Sequence, residues 1–276
     1  MQYTQKLKQG KKVKLKDFNA NYCSGIEEEL AAAQLALYDE QIGELQDLLY
    51  AAKKNAVLIV LQGMDTSGKD GTIKRVMANV NPQGCRVQAF KVPNDVERSH
   101  DFLWRAHRNT PANGHITIFN RSYYEDVLVV RVHDLVPKNI WQKRYRQIND
   151  FERLLAENGT IILKFYLHIS YDEQEDRLKA REENTKKAWK LSLGDWEERK
   201  HWRTYQTAYE AALTECNTEW APWHIIPANK KWFRNLAVAE TLVKTLRPYK
   251  KNWMDALKHI GQKTLEELKQ TRAATK

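Results

Sequence analysis

Little in this chain of 276 residues suits a disulfide framework, a zinc site or a membrane. Its three cysteines, Cys23, Cys85 and Cys216, have no paired spacing. That argues against structural zinc and fits a reducing, cytoplasmic setting. No run approaches the roughly 20 apolar residues that a membrane span needs, and the mean hydropathy of −0.70 leads to the expectation of a soluble protein. The opening MQYTQKLKQGKKVKLK is basic but lacks the apolar core of a secretory signal. The eight histidines form no metal-ligand pair, and no Ser-His-Asp arrangement is arguable. No internal repeat or low-complexity linker divides the chain, so one domain is expected.

What is present in excess is positive charge. Lys and Arg number 45 against 35 Asp and Glu, a formal net charge of +10. Such a balance suits a polyanion: nucleic acid, an anionic membrane surface, or another polymer of phosphates.

The most informative stretch is Leu61–Gly71, LQGMDTSGKDG. It follows the apolar run Ala56–Leu61 and leads into a segment of helical period through Thr72, Ile73, Val76, Met77 and Val80. A buried strand, a glycine-bearing turn and a helix start form a phosphate-binding loop. Gly63, Gly68 and Gly71 let the backbone approach a ligand closely. Amides at the helix start then face an anion, Ser67 belongs to the turn, and Lys69 reaches the outer phosphates. Two features depart from the common pattern. Asp70 stands where a hydroxyl residue normally meets magnesium, and Asp65 puts a second carboxylate inside the loop. An acid in a phosphate cradle needs a cation between them or a proton to handle. Asp65 is therefore read as a magnesium ligand or as a group positioning the phosphate acceptor. The plainer reading is that it only braces the turn.

Around the loop the pattern alternates. Strands are expected over Ala56–Gln62, Arg86–Val92, His115–Phe119, Thr160–His168 and Trp223–Pro227. Helices are expected over Glu29–Lys54, Lys69–Val80, Asn139–Asn158, Tyr171–Asn184, Asp195–Cys216 and Lys231–Leu246. This predicts an α/β fold with a parallel five-stranded sheet and helices on both faces, its ligand at the carboxyl edge. Residues 1–28 read as a basic irregular arm, 29–250 as the domain, and 251–276 as a helical tail. Pro93–Gly114, with Arg98, Trp104, Arg105 and Arg108, is too polar and interrupted for core and reads as a helical lid. The tryptophans Trp141, Trp202, Trp220, Trp223 and Trp232 read as packing residues rather than base-stacking ones.

The strand His115–Phe119 runs into Asn120-Arg121-Ser122-Tyr123-Tyr124-Glu125-Asp126. In phosphate-loop enzymes this place usually holds a magnesium-binding Asp. Here it holds Asn120, so Glu125 and Asp126 are the carboxylates that would compensate. Arg121 is placed to clamp phosphate, or else to pair with Glu125 four residues on. Arg177 and Arg181 share a helix face. Arg177 has Glu173 nearby, whereas Arg181 has no carboxylate three or four residues away, which suits an external anion. Lys186, Lys187 and Lys190 prolong the basic stretch.

Taken together, GMDTSGKDG (63–71), NPQG (81–84), DFLWR (101–105), IFNRSYYEDVLVVRVH (118–133), RLKAREEN (177–184), KKAWKLSLGDWEER (186–199) and APWHIIPANKKWFRN (221–235) resemble the second family of polyphosphate kinases. The resemblance covers roughly residues 30–250. It implies a fold like thymidylate kinase, a phosphate-loop kinase with a helical lid. It implies magnesium-dependent, reversible phosphoryl transfer between inorganic polyphosphate and purine nucleotides, with manganese able to replace magnesium. The wording NRSYYEDVLVVRVH is similar to the branch that accepts both nucleoside mono- and diphosphates. By matching motif, Asp65, Lys69, Arg121, Asp126 and Arg181 are implied as catalytic, with Asp65 and Asp126 as metal ligands. Gly63, Ser67, Gly68, Asp70, Gly71, Arg131, Arg177 and Lys190 are implied as phosphate-binding. Asn81, Gly84, Arg98, Trp104, Arg105, Arg108 and Asn120 are implied for the nucleotide and the lid. A homo-oligomer, dimer or tetramer, is expected, with neither nucleic acid nor membrane as partner. Two other readings stand beside it. An ATP-dependent nucleoside or nucleotide kinase would share loop and lid but needs no long basic stretch after Arg177. A nucleic-acid-binding protein would explain the charge but not the Asp65–Lys69 loop.

Overall fold

The computed structural model describes residues 3–183 and 193–274. The sheet has six strands: β1 (Gln5–Lys6), β2 (Ala56–Gln62), β3 (Cys85–Ala89), β4 (Ile116–Asn120), β5 (Thr160–His168) and β6 (Trp223–Pro227). Their order is β1-β6-β5-β2-β4-β3. The last five are mutually parallel, as their unbroken apolar runs require when both faces are covered. The expectation of a five-stranded parallel sheet is corrected by β1, which pairs antiparallel with β6 through Gln5–Ile225 and Lys6–His224. Two residues carry too little pattern to announce a strand.

The register explains how both faces are covered. Ile59 pairs with Leu163 and Val60 with Lys164, so successive residues of β2 and β5 face opposite layers. On one side Ile59, Leu61 and Ile118 meet α2 (Lys69–Val76) and α10 (Lys231–Leu246) through Val76, Val238 and Leu242. Against α10 lies α1 (Glu28–Ala52), and against α1 lies α11 (Lys250–Ala274). On the other side Lys164 reaches Glu152 of α6 (Lys138–Glu157) at 2.7 Å, both wholly buried. The same carboxylate accepts the hydroxyls of Tyr123 and Tyr124, each at 2.8 Å. Paired and hydrogen-bonded in this way, a buried charge is tolerable.

The remaining helices are α3 (Asp95–Arg98), α4 (Trp104–His107), α5 (Val129–Val132), α7 (Tyr171–Glu182), α8 (Leu193–Lys200) and α9 (Trp202–Glu215). Asp195–Cys216, expected as one helix, breaks at His201 between α8 and α9. Pro93–Gly114 holds only the two one-turn helices α3 and α4, the first closed by an Asn94–Glu97 capping box.

The N-terminal segment is bound to the body rather than free. Tyr3, Val13 and Leu15 are buried. The Leu15 amide donates to Glu210 at 2.8 Å and the Tyr3 amide to Glu240 at 3.0 Å. Lys8, Lys11, Lys12 and Lys16 stay exposed. At the other end, Trp253 of α11 is buried and donates to Asn55 at 2.9 Å. No helix among the described residues is long and apolar enough to cross a membrane. Leu15 is only 2% exposed, so Leu15→Ala should destabilise the chain by about 2–5 kcal/mol. Lys11→Ala should change stability by less than about 0.5 kcal/mol. Urea unfolding with equal m-values for both variants checks this.

Candidate active site

In the turn between β2 and α2 the carbonyls of Asp65, Thr66 and Ser67 accept from Gln174, Arg177 and Arg234. Thr66 adopts a left-handed φ of 63° and Gly68 one of 96°. A Cβ on Gly68 would overlap the Arg234 guanidinium of α10, so conformation and space both demand glycine there. Arg177 of α7 straps the loop from behind. Its Nη1 donates to Thr66 O at 2.9 Å, its Nη2 to Ala228 O and Asn229 O, and its Nε to Glu173 at 2.7 Å. Four of its five N–H groups are thus engaged inside the protein. Arg177, expected to contact phosphate, braces the loop in this way and does not line the cleft in front of it.

In front of the loop lies a cleft of about 390 Å³. Asp65, Thr66, Gly68, Lys69, Asp70 and Gly71 line it from the loop side, and Asn120, Arg121 and Arg181 from elsewhere. Ala89, Phe90 and Lys91 close it from the end of β3. Thr66 Oγ1 is buried without a hydrogen-bond partner among the described residues. Lys69 Nζ donates to Gly63 O at 2.8 Å and Met64 O at 3.3 Å. Burial, helped by the Arg121 charge, pushes its pKa down to about 8 against the opposing pull of Asp65, Glu125 and Asp70. Ser67 is fully buried, with its hydroxyl against the Gly63 position rather than in the cleft.

Arg121 follows β4 with a left-handed φ of 60°. Its Nη2 donates to Asp65 at 2.6 Å, and Glu125 lies 3.6 Å from Nη1. Both sequence readings of Arg121 therefore meet in one place: it pairs with Glu125 and it faces the cleft. Burial works against its charge, but Glu125 and Asp65 outweigh burial and push the pKa up. Asn120 donates to Asp70 at 2.8 Å, and so turns that carboxylate. Arg181 is not unpaired. Asp195, fourteen residues on and beyond any helix-period search, accepts from it at 2.7 Å.

Other expected site residues lie elsewhere. Asp126 is 8% exposed and does not line the cleft. Arg144 Nη1 meets it at 3.2 Å and Arg105 Nη2 at 3.5 Å, so two guanidinium groups already answer its charge. Burial still leaves its pKa raised. Arg105 also donates to Lys91 O at 2.8 Å, tying the Pro93–Gly114 segment to the end of β3. Trp104 stacks on His100 at 3.9 Å and carries Arg108 over its ring at 4.6 Å, and Arg98 pairs with Asp95. Arg131 sits over Trp141 at 4.7 Å. Asn81 caps the turn before β3, and Gly84 gives way to Gln46 and Tyr50 of α1. None of Asn81, Gly84, Arg98, Trp104, Arg105, Arg108 and Arg131 lines the cleft. Lys190, with Lys186 and Lys187, lies outside the described residues. Sequence reasoning missed Lys91, Asp195 and Arg234. Only Arg234 left a signal, as the one arginine opening a helix that is buried from Leu236 to Val243.

The profile of the family described as Polyphosphate kinase 2 matches residues 25–253. The chain belongs to the polyphosphate kinase 2 family. An AMP/ADP-polyphosphate phosphotransferase from Meiothermus ruber is 53% identical over 234 residues, covering 84% of this chain and 88% of that one. An ADP-polyphosphate phosphotransferase from Rhodopseudomonas palustris is 46% identical over 226 residues, 78% of each. The crystal structure of Polyphosphate Kinase 2 from Arthrobacter aurescens TC1 superposes with a TM-score of 0.85 at 42% identity, covering 88% of this chain and 87% of that one. In this polyphosphate kinase 2 fold the cleft falls at the carboxyl edge of the parallel strands, between β2 and its neighbours.

Two outcomes follow for the cleft. Lys69 is charged below about pH 8 and loses its proton as pH rises through that value. Because kcat/KM reports groups of the free enzyme, it should fall above about pH 8 and lose that limb in Lys69→Arg. Gly68→Ala should cost more than about 1 kcal/mol of stability and abolish anion binding, since Cβ meets the buried guanidinium. Thermal melts with and without pyrophosphate measure both effects.

Proposed function

We propose that this chain transfers a phosphoryl group reversibly between inorganic polyphosphate and purine nucleotides, converting AMP and ADP, or GMP and GDP, to di- and triphosphates. The observation that carries this reading is the convergence of Lys69, Lys91, Arg121 and Arg181 on one cleft whose floor is a phosphate loop. Phosphoryl transfer asks a protein mainly for alignment and for positive charge around the moving group. Loop amides and Lys69 hold the phosphates. Arg121, fixed by Asp65 and Glu125, presents a planar fork to the oxygens in transit. Arg181 exchanges Asp195 for a phosphate oxygen of the polymer.

Magnesium, or manganese in its place, fits the donors present. Asp65, Asp70 and the unpartnered Thr66 hydroxyl are hard oxygen donors at the cleft, and magnesium binds through one or two carboxylates with phosphate oxygens. The ion supplies neutralisation of the phosphate charge. The Pro93–Gly114 segment, held to the body through Arg105, acts as the lid. A homo-oligomer, dimer or tetramer, is the proposed assembly. Leu30 and Leu37 are exposed on α1, the face available to a second subunit.

A donor swap with AMP as acceptor tests the reaction. Turnover with polyphosphate is expected, and turnover with ATP alone would make the chain an ATP-dependent kinase. A charge-assisted contact is worth roughly 1.5–3 kcal/mol, so Arg181→Ala should lower kcat/KM for polyphosphate about tenfold or more. Asp65→Asn should lower turnover and raise the magnesium concentration needed for half activity. An unchanged magnesium requirement would place Asp65 in the orientation of Arg121 instead.

A further inference from the structure

One buried cation near the loop has no role in the reading above. Arg234, in the first turn of α10, is 3% exposed. Its Nη1 donates to Ser67 O at 3.3 Å, while Nε and Nη2 donate to Asn235 Oδ1 at 3.2 and 3.0 Å. All of these acceptors are neutral, and among the described residues Arg234 has no ion pair. Its neighbours add to the difficulty. Burial, with the Arg177 charge beside it, lowers its pKa to about 10. A buried charge answered only by carbonyl dipoles is costly, and an apolar side chain of like volume would serve stability as well or better.

The location gives the charge a use. The guanidinium lies against the back of the loop, where a Cβ on Gly68 would overlap it and one on Gly71 would touch Nη2 at 3.4 Å. Among the described residues no peptide bond is cis. In a trans peptide the carbonyl and the following N–H point in opposite directions. Drawing Ser67 O back toward Arg234 therefore turns the Gly68 N–H toward the cleft that Gly68 lines.

We propose that Arg234 is a positioning residue of the phosphate loop, which aims the Gly68 N–H at the ligand and carries a charge that only the bound phosphate chain neutralises. This rests on the functional reading given above. The free chain then holds an unanswered cation that phosphate binding relieves, so stability and ligand affinity respond to Arg234 in opposite directions.

The test uses the full chain and inorganic tripolyphosphate. Melting temperatures are taken with and without the ligand, and the ligand dissociation constant at two salt concentrations. Arg234→Met should melt, without ligand, at or above the wild-type temperature. Its tripolyphosphate-induced rise should be less than half that of wild type, and its affinity about tenfold weaker. Its salt slope should fall by roughly one contact. Arg234→Lys should keep the wild-type slope with part of the affinity. A free Arg234→Met chain that melts lower but binds tripolyphosphate as wild type does makes Arg234 a packing residue and overturns the proposal. If Arg234→Met does not fold, Arg234→Gln is compared with Arg234→Lys. A lower slope for Gln alone supports the proposal, and equal slopes overturn it. Wild-type protein that binds no tripolyphosphate overturns the functional reading and this proposal together, whereas normal binding by both wild type and Arg234→Met overturns this proposal alone.

Discussion

Like charges repel, and this fold gathers Lys69, Arg121, Arg177, Arg181 and Arg234 around a single loop. Much of the architecture at the carboxyl edge is what keeps them together. Arg121 is held by Asp65 and Glu125, Arg181 by Asp195 and Arg177 by Glu173. Among the described residues, Lys69 and Arg234 have only carbonyl and amide oxygens as hydrogen-bond acceptors. Arg121 and Arg181 have their acids on the cleft side, whereas Arg177 is engaged against the loop's own carbonyl at Thr66. This division separates the basic groups that line the cleft from those that brace the loop, although all five are close.

Support for Arg121 comes from farther away. Its left-handed backbone would relax if the following turn were loose. Tyr123 and Tyr124 are instead anchored to Glu152, and Glu152 to Lys164, so α6 and β5 hold the turn after β4 from inside the sheet layer. Ser122 adds a bond to the Tyr124 amide and accepts one from Gln62. Two neighbouring strands, β2 and β5, thereby set the direction of one guanidinium.

The parallel strands and the long helices were readable because their signals are local: apolar runs, a period near 3.6, and a glycine turn followed by lysine. β5, β6 and α10 fall where their patterns place them. The partners of the charged groups were not readable. Asp126 and Arg105 are 21 residues apart, Arg181 and Asp195 14, and Arg234 and Ser67 167. A carboxylate open to solvent and one clamped by arginines look alike in sequence, and the clamp on Asp126 shows only in the fold. β1 escaped notice for a different reason. It is two residues long and owes its conformation to β6 rather than to its own side chains.

That short strand has a bearing on the state of the protein in concentrated solution. β6 is buried along its whole length and would otherwise be the outer strand of the sheet, with its backbone donors and acceptors open to any extended chain. β1 and the Leu7 amide, which bonds Trp223 O at 2.9 Å, occupy that line of hydrogen-bonding groups. At the opposite border β3 is kept unattractive by other means, with Arg86 and Gln88 on a partly solvated five-residue strand. The lysine-rich N-terminal segment thus shields the sheet against edge-to-edge association, and a protease that trimmed it would expose an adhesive border.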